Sequence, residues 1–269
     1  MQGRKQQQVE RLRARIAALE ARPALAETAA PARPSGGLLA TAPGLLHEIF
    51  SPEPRNGGAA LGFALGQARG LLTPQRPALL VMQLSREARD MGLPYGAGLV
   101  HFGIDPGAVV LTRVETVTEL LWAIEEATCC RAVAAVVADI SGYHKAIDFT
   151  VSRRLGLRAA SAGTSVFLLR YGDGREASAA KLRWRVTPAP SGEVKLDARA
   201  PGGPRWRVVL EKGRLGPGAD GREHLVDWTG HDFVLVDGRG SGNGAGAAGE
   251  APLSGAEPAA LGHRLSETG

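Results

Sequence analysis

Cysteine is nearly absent from this chain: two occur in 269 residues, side by side as Cys129 and Cys130. Adjacent cysteines rarely bridge each other, and no other residues stand at metal-ligand spacing. Neither a disulfide framework nor a metal site is expected, and the compartment reads as reducing. Long apolar runs are missing as well. No window approaches the roughly 18 apolar residues of a membrane span, and the first residues, MQGRKQQQVERLRARIAAL, hold no apolar stretch of the signal-peptide kind. A cytoplasmic protein with no membrane partner is the expectation. Extreme charge is lacking too. The 32 Lys and Arg against 27 Asp and Glu leave a formal +5, which permits nucleic acid or an acidic protein partner without demanding either.

What is present organises the chain. A hydrophobic share of 44% suits a globular core, but 36 Gly and 17 Pro exceed the needs of one compact fold, so part of the chain is expected to be flexible. Val9, Leu12, Ile16 and Leu19 recur at helical spacing within residues 1–22, and Pro23 stops the pattern. The stripe is narrow, which suits docking on a partner; a helix lying on its own domain is the alternative. Residues 23–42 read as a Pro/Ala linker and 238–269 as a disordered Gly/Ala-rich tail.

Between them, residues 43–237 read as one α/β domain. LLHEIFS, PALLVMQL, GAVVLTRV, RAVAAVVADIS and TSVFLLRYG are short apolar runs of the kind buried on both faces of a parallel sheet. Helical patterns separate them. One helix opens on a capping box, Thr116 with Glu119. Another carries Ile147, Val151 and Leu155 on one face and ends near Gly163. Past Gly172 the alternation gives way to AKLRWRVTP, RWRVVLEKGR and HDFVLVDG, whose period-two patterning predicts an antiparallel extension at one edge.

FSPEPRNGGAALGFALG, residues 50–66, has the outline of a phosphate loop: strand, Pro/Gly-rich turn, helix of small residues. A working loop, GxxxxGK[ST], needs backbone N–H groups, a Lys on the phosphates and a hydroxyl on magnesium. Here the turn runs through Ser51, Pro52, Glu53, Pro54, Arg55 and Asn56, and Gly57, Gly58 and Ala59 fall where Lys and the hydroxyls belong. Arg55 sits early in the turn and has no Ser/Thr neighbour to hold a metal.

In their order, GLLHEIFSPEP, FALGQARGLL, LVHFGIDPGAVVLTRVETVTELLWAIEEA, AVAAVVADIS, ISGYHKAIDFTVSRRLGLRAASAGTSVFLLR and SAAKLRWRV resemble the RecA-type ATPase core. Most closely they resemble its ImuA family, accessory proteins of SOS-induced mutagenesis. The resemblance covers roughly residues 43–237. It implies a RecA-like core with a mostly parallel sheet flanked by helices, and it places Asp139 at the Walker B position. An acid there alternatively caps the following helix. The family's water-positioning acid falls near Ser85, with Glu87 two residues on, and its γ-phosphate-sensing Gln is replaced by Arg170 or Tyr171. With these parts missing, no catalytic residue, metal or cofactor is expected; weak ATP with magnesium is the exception left open.

The two loops by which RecA grips DNA are cut to SGYHKA and GDGREAS, so a RecA-like filament on DNA is not expected. Arg153, Arg154, Arg158, Lys181, Arg183 and Arg185 are the candidates for weak DNA contact, the alternative being solvated surface. Lys181, Arg183 and Arg185 share one face of a strand whose other face carries Leu182, Trp184 and Val186. The resemblance implies three partners: an ImuB-like Y-family protein, RecA and an error-prone DnaE-type polymerase. DNA would be met through that complex, which allows nucleoid association. The expected function is thus a non-catalytic accessory of translesion synthesis. The rivals are a RecA-like ATPase with an atypical loop, a SulA-like division inhibitor and a non-specific DNA-binding module.

Overall fold

A computed structural model of the chain describes residues 39, 42–140, 142, 144–172, 176–194, 197–213 and 221–236. The expected helix with Val9, Leu12, Ile16 and Leu19, nearly all of the 23–42 linker and the tail from 238 lie outside the described residues.

β1 (Leu46–Ser51) leads through a 3-10 turn, Pro54–Asn56, into α1 (Gly57–Arg69). There follow β2 (Ala78–Leu84), the short helices α2 (Ser85–Met91) and α3 (Gly96–His101), and β3 (Val109–Val114). Next come α4 (Val117–Cys129), β4 (Val133–Ile140), α5 (Phe149–Ala162) and β5 (Ser165–Tyr171). The rest is strand: β6 (Leu182–Ala189), the small hairpin β7 (Glu193–Val194) and β8 (Asp197–Pro201), β9 (Arg205–Lys212), β10 (Glu223–Trp228) and β11 (Phe233–Leu235).

All strands but β7 and β8 form one sheet in the order β11-β10-β9-β6-β1-β5-β4-β2-β3. From β6 to β3 every neighbour is parallel, and from β6 outward through β9, β10 and β11 every pairing is antiparallel. This is the expected α/β core with its antiparallel extension. Every residue of β1, β4 and β5 is buried, because helices cover both faces of the parallel part. That is why β4 and β5 read as nearly continuous apolar runs, while β1 buries His47 and Glu48 as well.

One face is covered by α1, with Phe63 against Trp184 at 5.3 Å between ring centroids and Phe233 at 5.1 Å. Trp206, Trp228 and Phe102 complete this aromatic layer; the Trp206 indole donates to the Ala59 carbonyl and the Trp228 indole to the His101 carbonyl, whereas the Trp184 N–H is buried without a partner among the described residues. A Cβ at Gly66 of α1 would fall 2.5 Å from the Phe233 ring, so only glycine lets the helix lie this close. The other face is covered by α4 and α5, which bury Leu120, Ile124 and Leu155.

Two expectations are corrected and one strand is added. β3 is not buried on both faces; it ends the sheet, and Val110 and Leu111 are 51% and 44% exposed. Ile147 lies before α5, whose N-cap is Asp148, although it is buried in the same cluster as Leu155. β10 was not foreseen, because EHLVDW is too polar to read as a strand until β9 and β11 flank it.

Candidate functional site

Parallel strands carry their loops to one edge of the sheet, and in such folds ligands bind at that edge. The C-terminal ends of β1, β2, β4 and β5 bring Ser51, Gln83, Asp139 and Tyr171 there, and α1 begins there at Gly57.

The turn after β1 keeps the outline of a phosphate loop but not its charge. Arg55 pairs with Glu53 of the same turn, and its side chain is 80% exposed, so the turn's only cation is directed to solvent. Pro52, Glu53 and Pro54 are likewise at or near the surface, and Asn56 precedes α1 without a side-chain capping bond. Gly57 is buried. A Cβ at this position would lie 1.7 Å from Met91 Cε and 3.3 Å from the Tyr171 hydroxyl. The flexible end of the Met91 side chain, from α2, therefore stands where a lysine side chain would begin. Gly58, one residue on, is exposed and faces open space, with nothing within 4 Å of its Cβ direction.

Asp139 is 5% exposed. It caps no helix, since Asp148 takes that role for α5 by accepting from the Val151 N–H at 2.7 Å. Instead the Gln83 amide donates to Asp139 Oδ2 at 3.4 Å and to the Gly92 carbonyl at 3.3 Å. Burial pushes the Asp139 carboxyl up to about 6; Gln83 and Tyr171 oppose the rise, and the nearby Glu87 charge adds to it. Burial, and then Asp139 itself, pushes the Tyr171 phenol up as well. Asp139 Oδ1, Tyr171 Oη, Ser51 Oγ and Glu87 Oε2 are buried without a full hydrogen bond. The site thus joins an unfilled set of polar atoms to an apolar plug.

Of the two candidates for the missing Gln, Tyr171 stands at the site. Arg170 points to the opposite face of β5, as strand alternation requires, and pairs there with Glu176 at 2.8 Å. Ser85 turns away and donates to Glu115 Oε1 at 2.7 Å. Glu87 is half-buried and acts on Asp139 through its charge.

The candidate DNA contacts divide. Arg183 is held inside: it donates to Glu48 Oε2 at 3.0 Å and to the Glu176 carbonyl at 2.9 Å. Its guanidinium and that of Arg170 lie 5.3 and 5.7 Å from the Phe50 ring centroid. These contacts tie Glu176 to the sheet. Arg185 pairs with Glu211 at 3.4 Å, and Lys181 is exposed. Arg154 and Arg158 both bridge Glu125, at 2.6 and 3.2 Å, while Arg153 is exposed and pairs with no described acid. Sequence reasoning missed Met91, Gln83 and the buried Glu48. The last two had a signal, a polar residue inside an otherwise apolar strand.

No protein-family model matches the chain. Protein ImuA of Caulobacter vibrioides (strain NA1000 / CB15N) is 35% identical over 195 residues, which cover 68% of this chain and 74% of that protein. Protein ImuA of Caulobacter vibrioides (strain ATCC 19089 / CIP 103742 / CB 15) matches to the same extent. Among solved structures, the RadB recombinase aligns with 71% of this chain and 90% of its own at 15% identity, with a TM-score of 0.45.

Proposed function

The chain belongs to the ImuA family, and on that premise we propose that it is a non-catalytic accessory protein of damage-induced mutagenesis. It acts in the cytoplasm by binding proteins and turns over no nucleotide. The observation that carries this reading is the contact of Met91 with Gly57. Triphosphate chemistry needs a cation and a metal-holding hydroxyl at the start of α1, and there the chain has two glycines and a thioether.

An ImuB-like Y-family protein, RecA and an error-prone DnaE-type polymerase are the partners this reading assigns. The pairing of Arg183 with Glu48 and Glu176 supports protein partners over DNA, because it withdraws a cation from the strand face that DNA would use. Titration calorimetry with ATP and magnesium, together with a phosphate-release assay, tests the first half; little heat and no turnover are expected, and magnesium-dependent turnover abolished by Asp139→Asn overturns it. Co-purification with each of the three partners tests the second half, and binding of none overturns it.

A further inference from the structure

The parallel strands of the core begin at the edge opposite Asp139 and the turn after β1, and a cavity of about 540 Å³ opens there. Gln75 and Arg76 of the turn before β2 line it, with Thr128 and Cys129 at the end of α4, Arg131 just before β4 and Ser161 near the end of α5. No acidic or aromatic side chain lines it among the described residues. The three chain segments that meet there, LLTPQRPA, ATCCRAV and LRAASAGT, hold three arginines and no carboxylate. The nearest acids in sequence, Glu125 and Glu126, do not line the cavity: Glu125 is taken by Arg154 and Arg158, and Glu126 pairs with no described cation.

Arg76 is built into the fold at both ends. Its N–H donates to the Thr73 carbonyl at 3.0 Å and to the Thr73 hydroxyl at 3.1 Å. Its Nη1 donates to the Gly163 carbonyl at 2.6 Å, the Thr164 hydroxyl at 3.2 Å and the Val133 carbonyl at 3.4 Å, and its Nη2 to the Ala162 carbonyl. A guanidinium carries more N–H groups than these bonds use. The Nε–H and one Nη2–H of Arg76 have no described acceptor. They form the parallel fork that takes two oxygens of one phosphate or carboxylate. The carbonyl ends of α4 and α5 would repel an anion if bare, but the Cys130 N–H takes the Ala127 carbonyl and Arg76 takes those of Ala162 and Gly163. Arg131 supplies a second guanidinium, exposed and in no ion pair with a described residue. A cation held rigid before its ligand arrives loses little freedom on binding.

We propose that this cavity binds a small phosphate-bearing polyanion, with one phosphate on the fork of Arg76 and a second acidic group on Arg131. Ser161 and Gln75 line the same space and add a hydroxyl and an amide as donors. Without an aromatic wall there is no platform on which a base would stack, so a compact anion suits the cavity better than a nucleotide or a strand of nucleic acid. The site is separate from the edge that carries Asp139, and it goes beyond the protein-binding reading: failure of either leaves the other standing.

Titration calorimetry on the full chain tests this with inorganic pyrophosphate as the probe, beside inorganic phosphate and a single-stranded oligonucleotide. Pyrophosphate should bind, phosphate should bind about tenfold more weakly because it engages one guanidinium, and the oligonucleotide should not compete. No heat from pyrophosphate, equal binding of phosphate, or displacement by the oligonucleotide overturns the proposal. Arg131→Gln should weaken pyrophosphate about tenfold without moving the thermal midpoint, and Asp139→Asn should leave binding unchanged. The reverse pattern puts the anion at the other edge of the sheet and overturns the proposal. Arg76→Lys keeps the charge and loses the fork, so binding should vanish; the midpoint should fall too, because the carbonyls of Ala162 and Gly163 lose their partner. The Arg76 Nε–H resonance of the parent protein separates the two effects: it should shift as pyrophosphate is added, and a resonance that stays in place overturns the proposal as well.

Discussion

Met91 Cε occupies the place where the first side-chain carbon of residue 57 would stand, 1.7 Å from that point. Thirty-four positions separate the two residues, and their contact closes the start of α1 from the side of α2. A loop that lacks its lysine thus has a thioether, the free end of a flexible side chain, standing where the lysine would begin.

Restoring the lysine alone should therefore fail. Gly57→Lys must push the Met91 thioether aside, and because that is the free end of a flexible side chain the cost should fall at the low end of the ~1–3 kcal/mol of overpacking. The urea midpoint should fall and ATP should still give no heat. Adding Met91→Ala to Gly57→Lys should recover most of the lost stability, because it empties the contested space. Gly58→Ala is the contrast. That position faces open space, so replacing a helical glycine should stabilise the protein by about 0.5–1 kcal/mol. Opposite signs at adjacent glycines, read by urea unfolding, are the expected result.

The acid at the end of β4 predicts a pH dependence. Burial lifts Asp139 from an ordinary 3.8 to about 6, so between these values the folded chain holds a proton that the unfolded chain has released. The stability from this group is fully present below about 3.8 and is lost as the pH rises through about 6. The whole rise corresponds to about 3 kcal/mol at one unit per 1.36 kcal/mol. Asp139→Asn should flatten the stability profile across that window and make the protein more stable than the parent at pH 7. Urea unfolding at acid and neutral pH checks it; an unchanged profile would remove Asp139 from the account.

How far this site could be read beforehand depended on distance along the chain. The capping box was legible because it is local: Thr116 Oγ1 accepts from the Glu119 N–H at 3.2 Å, and Glu119 reaches back to the Thr116 N–H at 3.2 Å. The buried strands were legible from composition, and the loss of Lys from the turn after β1 was legible from its spelling. Met91 was not, because SREARDM carries no sign of folding back onto Gly57. Nor was the edge position of β3, since VVLTRV reads alike in the middle or at the rim of a sheet. The same limit separated the arginines. Nothing in RWRV tells that Arg183 is bound inward to Glu48 while Arg185 stays near water; that is decided by β1, more than a hundred residues earlier.

That inward pair carries the third prediction. Glu48 is 1% exposed, and Arg183 meets its carboxylate at 2.9 Å. Removing one partner of a buried pair leaves an uncompensated charge and costs about 3–5 kcal/mol. Arg183→Met should destabilise the chain on that scale, whereas Glu48→Gln combined with Arg183→Met should cost much less. A double-mutant cycle in urea measures the coupling. Arg153→Met, on the exposed face of α5, should leave the midpoint unchanged, so the two arginines separate a structural role from a surface one.

The aromatic layer beneath α1 gives the last. Gly66 lets the helix settle on β10 and β11, and a methyl group there would meet Phe233 at 2.5 and 2.8 Å and Trp228 at 3.1 Å. Alanine is the better helix former by about 1 kcal/mol, so propensity and packing oppose each other at this position. Packing should win. The ring cannot retreat freely, because Phe233 is also in contact with Phe63, Trp206 and Trp228 at centroid distances of 5.1, 5.6 and 5.1 Å. Gly66→Ala is expected to lower stability by about 1–3 kcal/mol and to broaden the indole signals of Trp206 and Trp228 in NMR spectra. Phe233→Leu should partly rescue it by opening room for the methyl group. A stabilised Gly66→Ala variant would mean that β11 moves aside at little cost, and that the antiparallel extension is not held to the core by this layer.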